Sequence, residues 1–151
     1  MSDPGAPIAG GASPASVSAF LGRWRLERDI LHADGLRGRL DGVAAIAPAG
    51  PALCTYTEEG RLVLDAGEPL LATRRYLWRD ASGAIDISFS DGRPFHRVSL
   101  GAFCAETVHL CPPDRYAVFY DFSDWPVWTA RWRVEGPRKD YEMTSTYTPL
   151  R

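Results

Sequence analysis

Residues 22–30, GRWRLERDI, decide the reading of this chain. Trp24, Leu26 and Ile30 alternate with Arg23, Arg25, Glu27 and Asp29, the period of two expected of a strand with one apolar face. Arg28 alone falls on the apolar side. Just upstream, Ser13-Pro14 followed by residues 15–21 reads as an N-cap, a proline at the first helical position and a short helix. Downstream the alternation recurs over residues 37–46, 52–58, 61–65, 72–79, 84–90, 94–100, 104–110, 115–122, 127–134 and 140–148. Turn signals separate these runs at Asp34-Gly35, residues 48–51, Glu59-Gly60, Ala66-Gly67, Ser82-Gly83, Asp91-Gly92, Pro112-Pro113 and Gly136-Pro137. Such spacing with a single helix predicts an all-β fold. We expect one antiparallel up-and-down β-barrel of about 8–10 strands behind a short N-terminal helix, since closure removes exposed strand edges.

The chain has 151 residues, 17 basic against 19 acidic side chains, and a net charge of −2. That length suits one domain with its own core. Residues 1–13, rich in Pro, Gly, Ala and Ser, read as a flexible leader before a barrel domain over residues 14–151. A near-neutral balance argues against nucleic acid as a partner. No apolar run is long enough for a membrane helix, and the N-terminus lacks the basic start and apolar stretch of a secretory signal. Cys54, Cys104 and Cys111 form no CxxC pair, so buried free thiols and a cytoplasmic location are expected. The basic set is 16 Arg and one Lys, Lys139, and the chain contains no Asn and no Gln. Any polar pocket must therefore use guanidinium, imidazole, carboxylates, hydroxyls, indole N–H groups and the backbone.

Six blocks carry a resemblance: FLGRWRLERDI, YLWR, DGRPFH, HLCPPDRY, YDFSDWPVW and GPRKDY. In order and spacing, over residues 20–147, they resemble the uncharacterised bacterial and fungal family called domain of unknown function 6314. The Gly22-x-Trp24 pair also resembles the start of the first strand in calycins, the superfamily of lipocalins and fatty-acid-binding proteins. The family has no established activity, so the resemblance transfers no catalytic residue. The calycin likeness implies a calycin-like barrel with an internal cavity for a small, often apolar or aromatic guest. It also implies that Gly22 and Trp24 close one end, with a basic residue covering the indole; Arg133, Arg138 and Lys139 are the candidates.

Nine of the 17 aromatic residues fall between Tyr116 and Tyr147. They either fill a core or leave phenols and indoles facing a partly polar cavity. On the cavity reading the ligand-binding candidates are Arg28, Tyr56, Tyr76, His96, His109, Tyr116, Tyr120, Trp128, Trp132, Arg138, Lys139 and Tyr141. No histidine spacing marks a metal site, and no metal is expected. Cofactors are not expected either, although His96 or His109 reaching a haem iron is the alternative. Alternation past the Gly136-Pro137 turn forces Arg138 or Lys139 inward, where it either covers Trp24 or anchors an anion. An inward cation requires a partner: beside Arg28 it would share a bound carboxylate or phosphate, and Asp121 or Asp140 would oppose it directly. Arg93, beside His96, is placed at the rim. Asp114 with His109, or Glu58 with Tyr56, are the pairs suited to acid–base chemistry, but no nucleophile elbow, P-loop or dinucleotide fingerprint accompanies them.

Three functions follow. The leading one is a cytoplasmic small-molecule-binding barrel whose aromatic-lined cavity and basic anchor take an apolar, aromatic or anionic ligand. The second is an enzyme or haem-binding protein using that cavity. The third is a filled barrel acting as an interaction module or homodimer through apolar surface at Trp125-Pro126.

Overall fold

The computed structural model describes residues 12–65 and 67–150, and in it the alternation becomes ten antiparallel strands. They are β1 Gly22–His32, β2 Arg37–Gly50, β3 Leu53–Leu64, β4 Leu70–Asp80, β5 Ala84–Phe89, β6 Pro94–Ser99, β7 Cys104–Cys111, β8 Asp114–Asp121, β9 Trp128–Gly136 and β10 Lys139–Pro149. The hydrogen-bonded order is β6-β5-β4-β3-β2-β1-β10-β9-β8-β7, an up-and-down meander in which the first and last strands pair. Leu26, Leu40, Ala44, Tyr56, Trp78, Val118, Trp128 and Tyr147 point inward from successive strands and are buried. The predicted leader falls outside the described residues except at its last two positions, and Ala66 and Arg151 also fall outside them. No helix among the described residues is long and apolar enough to cross a membrane.

Five sequence expectations change, four of them in the strands, turns and thiols and one at the sealed end of the barrel. The N-terminal helix is a four-residue 3₁₀ helix, Val17–Phe20, capped by Ser16 without a side-chain hydrogen bond. It cannot lengthen, because Phe20 is drawn into the barrel end and Gly22 turns the chain into β1 at φ +126°, a conformation that favours glycine. Glu59-Gly60 is no turn but the middle of β3. Gly60 there faces Gly42 of β2, and a Cβ on Gly42 would stand 2.2 Å from the Glu59 carbonyl oxygen. The glycines permit a close strand crossing that bends the sheet inward.

Closure is incomplete, the third difference. β6 and β7 share no ladder hydrogen bonds, so side chains span the seam instead. Phe95 of β6 packs edge-on against His109 of β7 at 5.2 Å, and His96 Nε2 lies 2.7 Å from the Tyr120 hydroxyl of β8. Finally, only Cys54 is a buried thiol. Cys104 and Cys111 are exposed, at the two ends of β7.

One end of the barrel is sealed by rings. Phe20 makes edge-to-face contacts with Trp78, Trp125 and Trp128 at 5.4, 4.9 and 5.3 Å. Trp24 joins them and donates its indole N–H to the Phe20 carbonyl at 2.9 Å. Trp125, expected at the surface, is half-buried in this cluster, so only Pro126 of that pair is exposed.

Candidate functional site

Above the ring cluster the barrel is hollow, with a cavity of about 550 Å³. The wall follows from strand alternation: β8 contributes Tyr116 and Tyr120, β9 Trp128, Ala130, Trp132 and Val134, and β10 Tyr141, Met143 and Tyr147. Exposed lining residues, Arg74, Arg93, Pro94, Leu110 and Cys111, mark the mouth at the end opposite Trp24.

The deep wall holds a buried ion pair. Arg28 grips Glu58 bidentately, with Nη1 donating to Oε2 at 2.6 Å and Nη2 to Oε1 at 3.0 Å, while its Nε donates to Ser145 Oγ at 2.7 Å. Both partners are 5% exposed. The Tyr56 hydroxyl donates to Glu58 Oε1 at 2.5 Å and stands 2.8 Å from the Tyr147 hydroxyl. Burial alone would raise the Glu58 carboxyl, but the Arg28 hydrogen bonds overcome it and hold the group below the ordinary carboxylate value. Burial pushes the Tyr56, Tyr120 and Tyr147 hydroxyls up, so they stay protonated. Both Glu58 oxygens are thus engaged by Arg28 and Tyr56, whereas Asp114 of the other acid–base pair meets Lys139 rather than His109.

His96 is held neutral. Burial, and secondarily the nearby His109, lower its pKa to about 3. Its Nδ1 is covered and has no hydrogen-bond partner among the described residues, and the same holds for the Trp128 indole nitrogen. Rings stack around these groups: Trp128 on Tyr147 at 3.8 Å, Tyr56 on Trp78 at 5.3 Å, and Phe95 between Tyr76 and Trp132 at 5.7 and 5.3 Å. No cluster of three or more His, Cys, Asp or Glu side chains suited to a metal occurs among the described residues.

Of the residues singled out in the sequence, Arg28, Tyr56, Tyr76, His96, His109, Tyr116, Tyr120, Trp128, Trp132 and Tyr141 all line this one cavity. Arg138 and Lys139 do not. The register opposes Trp24 to Pro149, leaving Lys139 at the far end of the eleven-residue β10, about 30 Å away. Neither covers Trp24. Lys139 instead braces the mouth, donating to the Tyr116 hydroxyl at 2.6 Å and lying 3.2 Å from Asp114. Arg133 pairs with Asp140 and also stays clear of the indole. The sequence reading omits Arg74, Trp78, Phe95 and Met143 from the wall. Arg74 carries a readable signal, because Ala72, Arg74, Tyr76 and Trp78 alternate onto one face.

The sequence model of a family described as a family of unknown function, DUF6314, matches residues 20–149. No curated protein matches the chain. Among solved structures, the S-type phycobiliprotein lyase CPES from Guillardia theta is similar over 89% of this chain and 90% of its own, with a TM-score of 0.66 at 8% identity. A redesigned β-barrel, mFAP1, bound to DFHBI aligns over 89% of this chain and 99% of its own, with a TM-score of 0.46 and 12% identity. A fluorescence-activating β-barrel of de novo design aligns over 88% of this chain and 95% of its own, with a TM-score of 0.40 and 18% identity. At such identities the likeness is one of fold.

Proposed function

This chain belongs to DUF6314, a family of unknown function, and from its own interior we propose that it is a small-molecule-binding barrel. The observation that carries the reading is the cavity of about 550 Å³ walled by stacked rings and open at one end. Small-molecule sites are concave, of roughly 300–1,000 Å³, mostly apolar, and carry a few placed polar groups. Here those groups are the Tyr56–Glu58–Arg28 network and the neutral His96. The complementary guest has an apolar or aromatic body that stacks on Phe95, Trp132 and Tyr76. A barrel shared with other proteins supplies the container and leaves the guest to the site. The three unpaired thiols support a cytoplasmic setting.

The test is a fluorescence titration with N-phenyl-1-naphthylamine, a neutral aromatic probe. We expect saturable one-to-one binding with a blue-shifted emission, and a melting temperature that rises with probe concentration because a ligand that binds only the folded state stabilises it. Emission that grows without saturation, with no thermal shift, would overturn the proposal.

A further inference from the structure

Three guanidinium groups line the cavity, and they are not equivalent. Arg28 is neutralised by Glu58 deep inside, and Arg93 is bonded to Asp91 at 2.7 Å beside its own turn. Arg74 has no carboxylate within 4 Å among the described residues. Its one side-chain hydrogen bond among the described residues runs from Nη1 to the Tyr76 hydroxyl at 3.5 Å. Register places it opposite Glu58 across β3 and β4, on the inward face, and it becomes exposed where the wall meets the mouth.

Charge therefore has a direction along the cavity. Inside, Glu58 is the only lining carboxylate among the described residues and is saturated by Arg28, and His96 carries no charge. An anion pushed to that depth would lie against ionised Glu58 and lose its water, both unfavourable. At the mouth Arg74 feels Glu58 across the strand pair but is in direct contact with no carboxylate among the described residues and is still wet, so pairing it costs little desolvation. We infer that Arg74 forms an anion subsite at the lip of the barrel. The guest is then an aromatic or apolar molecule bearing a carboxylate-like or sulfonate-like group, bound ring-first with its charged end at Arg74. This inference rests on the binding role proposed above.

The experiment compares N-phenyl-1-naphthylamine with its sulfonated counterpart, 1-anilinonaphthalene-8-sulfonate, on wild type, Arg74→Gln, Arg74→Lys and Arg75→Gln. Arg75 is the control, because it points outward from the same strand. Arg74→Gln should weaken the sulfonate probe by about tenfold, the usual worth of one charged hydrogen bond. Neutral-probe binding should fall far less than sulfonate binding. Arg74→Lys should keep most of the affinity, and Arg75→Gln all of it. Equal losses of both probes, or undiminished sulfonate binding in Arg74→Gln, would overturn the subsite while leaving the cavity role standing. Failure of wild type to bind either probe would overturn both.

Discussion

At the scale of single residues, the interior depends on Arg28 and Glu58, each needing the other. Removing one charge of a buried pair leaves its partner uncompensated, at a cost of about 3–5 kcal/mol, whereas replacing both by apolar groups of similar size costs much less. Glu58→Gln should therefore lower unfolding stability by about that amount in urea titrations, and Arg28→Met/Glu58→Met should be less destabilised than the single variant. A Glu58→Gln protein as stable as wild type would show that the pair is not holding the wall together. His96 gives a second residue-level prediction. Its folded pKa of about 3 lies below the unfolded value near 6.5, so the native state resists protonation. Stability contributed by the neutral ring is complete above pH 6.5 and is lost as pH falls. Between pH 6.5 and 4.5, above the range in which Glu58 protonates, the loss should be about 2 kcal/mol. His96→Gln should flatten that segment of the stability curve; an unchanged slope would mean the ring is not shielded. Arg28 is legible in sequence as a charge on an apolar face. Its partner is not, because Glu58 lies thirty residues on and meets it only once the strands have registered.

At the scale of the element, the crossing of β2 and β3 sets the curvature of the wall. Gly42 and Gly60 oppose each other, and a Cβ on Gly42 would meet backbone atoms at 2.2 and 2.6 Å that no side-chain motion can relieve. Gly42→Ala should cost about 3 kcal/mol, the upper part of the usual range for overpacking. Gly60→Ala should cost less, since its closest contact is 2.8 Å. Equal, small losses by thermal unfolding would show that the crossing tolerates a methyl group. Most strands were readable because inward and outward positions alternate with period two, as in Trp24, Leu26 and Arg28. Gly60 misleads because glycine beside a charged residue has the same local sequence whether it makes a turn or a close crossing. Only the partner strand tells them apart. Lys139 misleads for a related reason: alternation orients a side chain across the wall but says nothing of which end of the barrel it occupies.

At the scale of the whole molecule, ten strands enclose more space than their inward side chains fill. Rings plug one end around Phe20, and the remaining volume opens at the other, beneath Arg74, Tyr141 and the Lys139 brace. That hollow was open in the sequence, where the same aromatic residues suit a packed core or a lined cavity. The difference lies in strand number and tilt, which are properties of the closed sheet. The small inward residue Ala130 on the cavity wall leaves room that a larger side chain would occupy. The measurement that tests the central claim most directly is a methyl-resolved NMR titration of the wild-type protein with N-phenyl-1-naphthylamine. We predict saturable shifts at Ile87, Ala130, Val134 and Met143, which line the cavity, with the outward Leu71 and Val108 unmoved. Shifts confined to Leu71 and Val108, or none at the cavity methyls, would contradict the account.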